Sequence, residues 1–388
     1  ALCAGLQSAG TSVLRCGVIP TPVVASLVRL LDADAGAVIS ASHNPAEYNG
    51  VKFFSKEGFK LPDEVEERIE LCAGGHGATI RLPGLVTGRS AQISDAPTLY
   101  IDHILEKTSI DLAGRKIVID CANGAATTVA PQLFRKLGAE VVLLHASPDG
   151  LNINKDCGAL HPKSMQHAVL ENRAFAGMSF DGDADRVLMA DEKGQLLDGD
   201  RMMLLAARKL KAEGALTGNT VVGTVMSNMG FEIALREAGI GLVRAPVGDR
   251  YVLEEMRRHG AVLGGEQSGH VIFLNHTTTG DGLITALQVL STAIGSGQPL
   301  SALAADMVEF PQILENVRVS GRDRWNTVPE IVDAIEEARL RLGDQGRVLI
   351  RPSGTEPLLR VMVEGPDASL VKEIVAQLAD LAHVHLRD

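Results

Sequence analysis

Three times before its C-terminal quarter, the sequence sets an apolar run of strand length, a helix-length segment and a second such run in that order. Strand, helix and strand joined in this way make a parallel pair with a right-handed crossover. Residues 115–121, 129–137 and 139–144 give the clearest instance, and residues 220–224, 231–238 and 241–244 repeat it. In the first unit, residues 17–19, 36–39 and 51–54 read as strands. Thr21 reads as the N-cap of a helix with Pro22 at its first position. Residues 64–72 read as a helix broken by Gly74-Gly75-His76-Gly77. Strands at 177–180 and 187–190 flank an acidic loop. Further on, a helix at 252–259, a polar loop after 261–264 and a long helix at 280–294 follow. The three stretches, roughly 100 residues each, repeat a pattern rather than residue identities. The plan then changes. Strands at 317–319, 347–350 and 359–363 with helices at 328–342 and 370–382 describe a small α+β domain. The expected fold class is α/β: three similar βαβ-containing domains at 1–94, 95–195 and 196–308, then a smaller α+β domain at 309–388.

At 388 residues the chain exceeds one ordinary core. Its 45% hydrophobic content, few aromatics and 40 glycines suit aliphatic α/β layers with many tight turns. A net charge of −11 without a long basic cluster argues against a nucleic-acid surface. It does not argue against small anions, which need only local arginines. The five cysteines are odd in number and include no Cys-x-x-Cys pair. They read as reduced thiols of a cytoplasmic protein. No apolar run approaches the ~20 residues of a membrane helix, and the first residues of the sequence lack the basic start and apolar core of a signal peptide. Ala1 falls in what reads as the last turns of a helix, with Gly10 as its C-cap.

Four stretches carry candidate chemistry. Ser42, in Val38-Ile39-Ser40-Ala41-Ser42-His43-Asn44-Pro45, follows a strand, and Pro45 bars Asn44 from helical geometry. A serine on a rigid loop between strands is a candidate nucleophile or phosphate carrier, although such residues most often only close a turn. Asp181-Gly182-Asp183-Ala184-Asp185-Arg186 places three carboxylates at alternate positions between two apolar runs, a donor set for a hard divalent cation. An EF-hand reading would put Glu192 at the twelfth position, but Arg186 stands where that loop requires glycine. Arg351-Pro352-Ser353-Gly354-Thr355-Glu356-Pro357 offers a guanidinium, two hydroxyls and a glycine amide, a pocket for a phosphate monoester or an ordinary turn. Gly264-Gly265-Glu266-Gln267-Ser268-Gly269-His270 offers the mixed donors and acceptors that read sugar hydroxyls.

These stretches stand one per domain and in this order, and the sequence closely resembles the α-D-phosphohexomutase superfamily across essentially its whole length. Gln267 and Gly354, Cys157-Gly158 after Gly150-Leu151-Asn152-Ile153-Asn154, and Thr224-Val225-Met226-Ser227-Asn228 resemble its glucosamine branch. The resemblance implies four domains around a central cleft. It implies phospho-Ser42 as phosphoryl carrier and one Mg²⁺ held by Asp181, Asp183, Asp185 and the Ser42 phosphate. Glucosamine 6-phosphate and glucosamine 1-phosphate would interconvert through a 1,6-bisphosphate, for UDP-N-acetylglucosamine and cell-wall synthesis. Glucosamine or glucose 1,6-bisphosphate would prime the serine. Arg351, Ser353, Gly354 and Thr355 would hold the phosphate that does not react, and Glu266 and Ser268 the sugar hydroxyls. Lys52 and His270 would be acid/base candidates, and Arg250 would face the cleft. The partner is then a small sugar phosphate, with neither nucleic acid nor membrane, and a homodimer is compatible with it. The alternatives are a phosphoglucomutase/phosphomannomutase of the same mechanism, or an inactive sugar-phosphate-binding fragment. The opening Thr-Asp-Gly-x-Arg-Gly motif of the superfamily has no counterpart here, so the resemblance implies a first domain lacking its N-terminal segment.

Overall fold

The structure, a computed structural model, describes residues 1–75, 87–353 and 356–387. The chain divides into two compact units, Ala1–Met226 with Leu242–Ala305, and Ser227–Gly241 with Asp306–Asp388.

The first unit opens with β1 (Val13–Arg15), β2 (Ala35–Ile39), β3 (Val51–Ser55) and β4 (Ser90–Gln92). β1 pairs with β4 in parallel, and β2 pairs with β3 antiparallel, with Val38 opposite Lys52. The helix Thr21–Leu30 turns Ala25 and Val28 onto Val38 and Phe54, which close a small core. The strand expected at 17–19 lies instead at Val13–Arg15, because Gly17 takes a left-handed backbone (φ 73°) that ends the extended run. Thr21 is the first helical residue rather than the cap, which is Pro20. The helix Asp63–Ala73 ends at Gly74; His76 and Gly77 of the expected breaker lie outside the described residues.

β5 (Lys116–Asp120), β6 (Glu140–Leu144), β7 (Ala176–Phe180), β8 (Val187–Ala190) and β9 (Leu196–Leu197) form a sheet of order β6-β5-β7-β8-β9. Its first three strands are parallel, and β7–β8 and β8–β9 are antiparallel. Ile117, Val118 and Ile119 are all fully buried, as expected where helices cover both faces of a strand. The helix Lys163–Asn172 spaces Met165, Ala168 and Val169 along one face and lays them on Val118 and Ala190.

A four-stranded sheet joins β10 (Thr220–Thr224), β11 (Gly241–Ala245), β12 (Leu263–Gly265) and β13 (Val271–Phe273) in the order β11-β10-β12-β13. β13 was not expected, since three residues are too few to set a period. The long helix runs over Gly282–Ser296 and is buried along most of its length. It starts two residues later than the apolar pattern indicates because the Asp281 carboxylate caps it, accepting the N–H groups of Leu283 and Ile284 at 3.0 Å each.

The second unit holds β14 (Gln312–Arg318), β15 (Arg347–Pro352) and β16 (Leu358–Glu364), antiparallel in the order β14-β16-β15. The helices Pro329–Leu342 and Ala368–His385 cover it, with Ile331, Val361, Val371 and Leu378 at the centre of its core. Within this unit the fully buried Glu364 accepts the Met229 N–H and pairs with Arg347 Nε, both at 2.7 Å. No described helix is long and apolar enough to cross a membrane.

Candidate active site

Three antiparallel hairpins of the first unit, β2–β3, β7–β8 and β12–β13, carry the serine, aspartate and glutamate-histidine stretches on their connections. Ser42 takes a left-handed backbone (φ 53°), uncommon for a residue with a side chain. Its hydroxyl donates to Asp181 Oδ2 at 2.7 Å. Asn154, from a loop more than a hundred residues on, donates its amide to the carbonyls of Ser42 at 2.9 Å and Asn44 at 3.0 Å. Gly182 lies between these groups. A Cβ there would stand 2.6 Å from the Ser42 carbonyl oxygen, so only glycine lets the two loops approach so closely.

Asp181, Asp183 and Asp185 are all buried, and one carboxylate oxygen from each lies within 4.8 Å of the others. Asp183 Oδ2 accepts from Thr21 at 2.6 Å, Ser40 at 2.8 Å and Lys52 at 2.6 Å, and Lys52 also donates to Asp185 Oδ2 at 2.9 Å. Burial pushes the Asp181 carboxyl well above the usual range, and the neighbouring charges of Asp185 and Asp183 push it further. Burial acts the same way on Asp185, but Lys52 and His270 outweigh it and hold that carboxyl well below its ordinary value. For Lys52, burial is outweighed by Asp185 and Asp183, which keep the ammonium protonated. Asp183 Oδ1 and Asp185 Oδ1 remain buried without a hydrogen-bond partner among the described residues. Converging oxygens, two of them without a hydrogen bond, fit a hard divalent cation.

The β12–β13 turn is fixed against this trio: Val187 N–H donates to the Gly269 carbonyl at 3.2 Å, and Gly282 N–H to that of Ala184 at 3.1 Å. Glu266 accepts the Gly248 N–H at 3.1 Å and the Ser268 hydroxyl at 3.3 Å. His270 is buried, with Nδ1 3.6 Å from Asp185 and Nε2 3.6 Å from Asp249. Gly280 N–H donates to Nε2 at 3.2 Å, which makes that nitrogen the acceptor and leaves the imidazole proton on the side facing Asp185. A cavity of about 490 Å³ opens here, lined by Ser42, Lys52, Asp185, Glu266, Ser268 and His270 among others. That lies within the roughly 300–1,000 Å³ usual for small-molecule sites.

Arg250 does not line the cavity. It sits in the first turn of the helix Asp249–His259 and pairs with Asp63 and with Glu254 four residues on. In the second unit, Arg351 stands directly opposite Arg360 across β15–β16, and Arg322 donates to the carbonyls of Ser353 and Glu356. Like charges set opposite each other destabilise a sheet pair unless an anion joins them. Ser353 is buried, and Gly354 and Thr355 lie outside the described residues. Sequence reasoning missed Thr21, Ser40 and Asn154 as neighbours of the site. Thr21 read as a cap, Ser40 as a turn former, and nothing near Asn154 in sequence announces Ser42.

Family models described as phosphoglucomutase/phosphomannomutase match in succession: alpha/beta/alpha domain I over residues 1–74, domain II over 98–194, domain III over 198–310 and the C-terminal domain over 314–381. The chain belongs to the phosphoglucomutase/phosphomannomutase family. By class it is a phosphohexomutase, an isomerase of sugar phosphates. A phosphoglucosamine mutase of Carboxydothermus hydrogenoformans is 52% identical over 379 residues, 97% of this chain and 85% of that protein. The crystal structure of a phosphoglucomutase/phosphomannomutase family protein from Burkholderia thailandensis superposes with a TM-score of 0.83 at 26% identity, over all of this chain and 86% of that one. The N-acetylphosphoglucosamine mutase of Aspergillus fumigatus, solved with GlcNAc-6P and magnesium, shares the phosphohexomutase fold. Its TM-score is 0.71 at 19% identity, over 93% of this chain and 92% of that one.

Proposed function

We propose that this chain interconverts glucosamine 6-phosphate and glucosamine 1-phosphate, with Ser42 as the phosphoryl carrier. The observation that carries the reading is the Ser42 hydroxyl, 2.7 Å from the buried Asp181 carboxylate at the wall of a cavity that Glu266 and Ser268 also line. The substrate class comes from the relatives, which are named for glucosamine phosphate at about half identity over nearly the whole chain. In the forward direction the P–O bond of phospho-Ser42 breaks and one forms to the sugar's O1, and the O1 proton ends on the freed Ser42 oxygen, which gives it up to the sugar's O6 when the serine is rephosphorylated. The resulting bisphosphate reverses end for end, and its 6-phosphoryl returns to the Ser42 oxygen. The serine ends as it began.

Asp181, Asp183 and Asp185 would hold one Mg²⁺, which when bound supplies positive charge against the phosphoserine and polarises its phosphorus. Lys52, kept protonated by Asp183 and Asp185, supplies a fixed positive charge rather than a base. His270 holds Asp185 in place, its acceptor nitrogen already taken by Gly280. Glu266 and Ser268 read the hydroxyls, and Arg351 and Ser353 bind the phosphate that does not react. A coupled assay on glucosamine, glucose and mannose 6-phosphates tests the reading. The highest kcat/KM is expected for glucosamine 6-phosphate. A higher value for either other sugar would overturn the substrate, and no turnover of any, with Ser42 never phosphorylated, would overturn the mutase reading itself.

A further inference from the structure

At the C-terminal ends of β5 and β6, beside the end of β7 that carries the aspartate loop, the chain gathers a second set of ligand-bearing side chains. Asp120 ends β5, His145 follows β6, and Cys157 lies on the loop that runs on from it. A carboxylate oxygen, an imidazole nitrogen and the thiol sulfur lie within 4.8 Å of one another. Asp120 and Cys157 are fully buried, while the His145 side chain is one-third exposed. The Asp120 carboxylate is aimed by two backbone donors, Ala122 N–H at 2.9 Å and Gly158 N–H at 3.1 Å. His145 Nδ1 lies 3.0 Å from Asp120 Oδ2, yet is buried and makes no hydrogen bond. Ligand atoms that come this close without pointing at each other are placed to share a third atom. The Asn123 amide, 3.9 Å from the sulfur, supplies an outer donor for a thiolate.

We propose that Asp120, His145 and Cys157 form a second cation site, separate from the aspartate trio, for a borderline divalent transition ion such as Zn²⁺. The donor set decides the ion: one oxygen, one nitrogen and one sulfur suit zinc-like ions, whereas three carboxylates suit a hard ion such as Mg²⁺. Three protein ligands leave a coordination position for water on the exposed His145 side. Burial pushes the Cys157 thiol up to about 11, so it is protonated until an ion binds. Loading forms the sulfur–metal bond and releases that proton to solvent. Asn154, three residues before Cys157, holds the carbonyls of Ser42 and Asn44, so an ion here stiffens the segment that braces the serine loop.

The test uses the full chain, stripped with a chelator, supplied with excess Mg²⁺ and titrated with Co²⁺ as a spectroscopic probe. The expected result is a near-ultraviolet thiolate-to-cobalt band that saturates at one equivalent and is displaced by Zn²⁺. Cys157→Ser should abolish the band, and Asp183→Asn should leave it intact. His145→Gln, at a side chain one-third exposed, should weaken Co²⁺ binding at least ~10-fold. It decides the matter if Cys157→Ser does not fold. Absence of the band in the unaltered protein, its survival in Cys157→Ser, or unaltered affinity in His145→Gln would each overturn the proposal.

Discussion

Asp183 concentrates four roles in one side chain, accepting from Thr21, Ser40 and Lys52 while offering a buried oxygen to a cation. Asp183→Asn keeps the shape and removes the charge. Turnover should fall at least ~100-fold, the scale of losing one electrostatic stabiliser, while far-ultraviolet circular dichroism stays unchanged. Undiminished turnover would detach the trio from catalysis. Asn154 acts on the backbone of the serine loop. Asn154→Gly preserves its left-handed conformation (φ 58°) and deletes both donors. Stability should drop by about 1–3 kcal/mol for the unpaired carbonyls, and kcat by ~10–100-fold through misplacement of Ser42, with KM nearly constant. Steady-state kinetics beside urea unfolding would separate the two effects. The serine, the aspartates and the glutamate-histidine stretch were readable because each is a short polar run after an apolar strand. Asn154 was not, because its partners are set by the path of a distant loop. Arg250 pairs with Glu254 one helical turn on, a contact that their i, i+4 spacing makes readable.

The serine, aspartate and glutamate-histidine loops are each the connection of an antiparallel hairpin, so paired strands fix both ends of each. β5, β6, β7 and β8 were legible as apolar runs, whereas the two-residue β9 was not. β13 and the end of β1 were not, since three-residue strands are defined by their partners rather than by a period. Helix ends obey the same logic. Asp281 caps the helix Gly282–Ser296 and accepts the Tyr100 hydroxyl in a fully buried place. Burial raises its carboxyl to about 6, against the pull of Tyr100 and the two amides. The unfolded value is about 3.9. Between those values the folded state binds more protons than the unfolded one. The contribution is therefore fully present below about pH 4 and is lost as pH rises through 6, amounting to about 3 kcal/mol. Asp281→Asn should remove this dependence. Relative to the unaltered protein, the variant should gain stability by about that amount from pH 4 to 7 in urea titrations. Parallel pH profiles for the two proteins would refute the assignment.

At the scale of the whole molecule, the family models cover both compact units. Arg351→Ala, in the second unit, should raise KM for the sugar phosphate ~10–100-fold and lower kcat less, since its contact is with the phosphate that stays put. Equal KM values would reduce that loop to a turn. The α/β class and the smaller α+β end were evident from the order of strands and helices. The division into two units was not, because the segment Ser227–Gly241 joins the C-terminal sheet through Glu364, a contact with no trace in local sequence. Lys52 has a bearing on how the protein survives handling. Its ammonium pairs with the Oδ2 atoms of Asp183 and Asp185 and not with their Oδ1 atoms, a resident counter-ion that does not wash out. Chelator treatment should silence turnover and leave the melting temperature within a few degrees, with activity returning when Mg²⁺ is restored. Lys52→Met should instead make the melting temperature depend on added Mg²⁺. A lost ion is then a pause in turnover, reversible for as long as that lysine keeps its place.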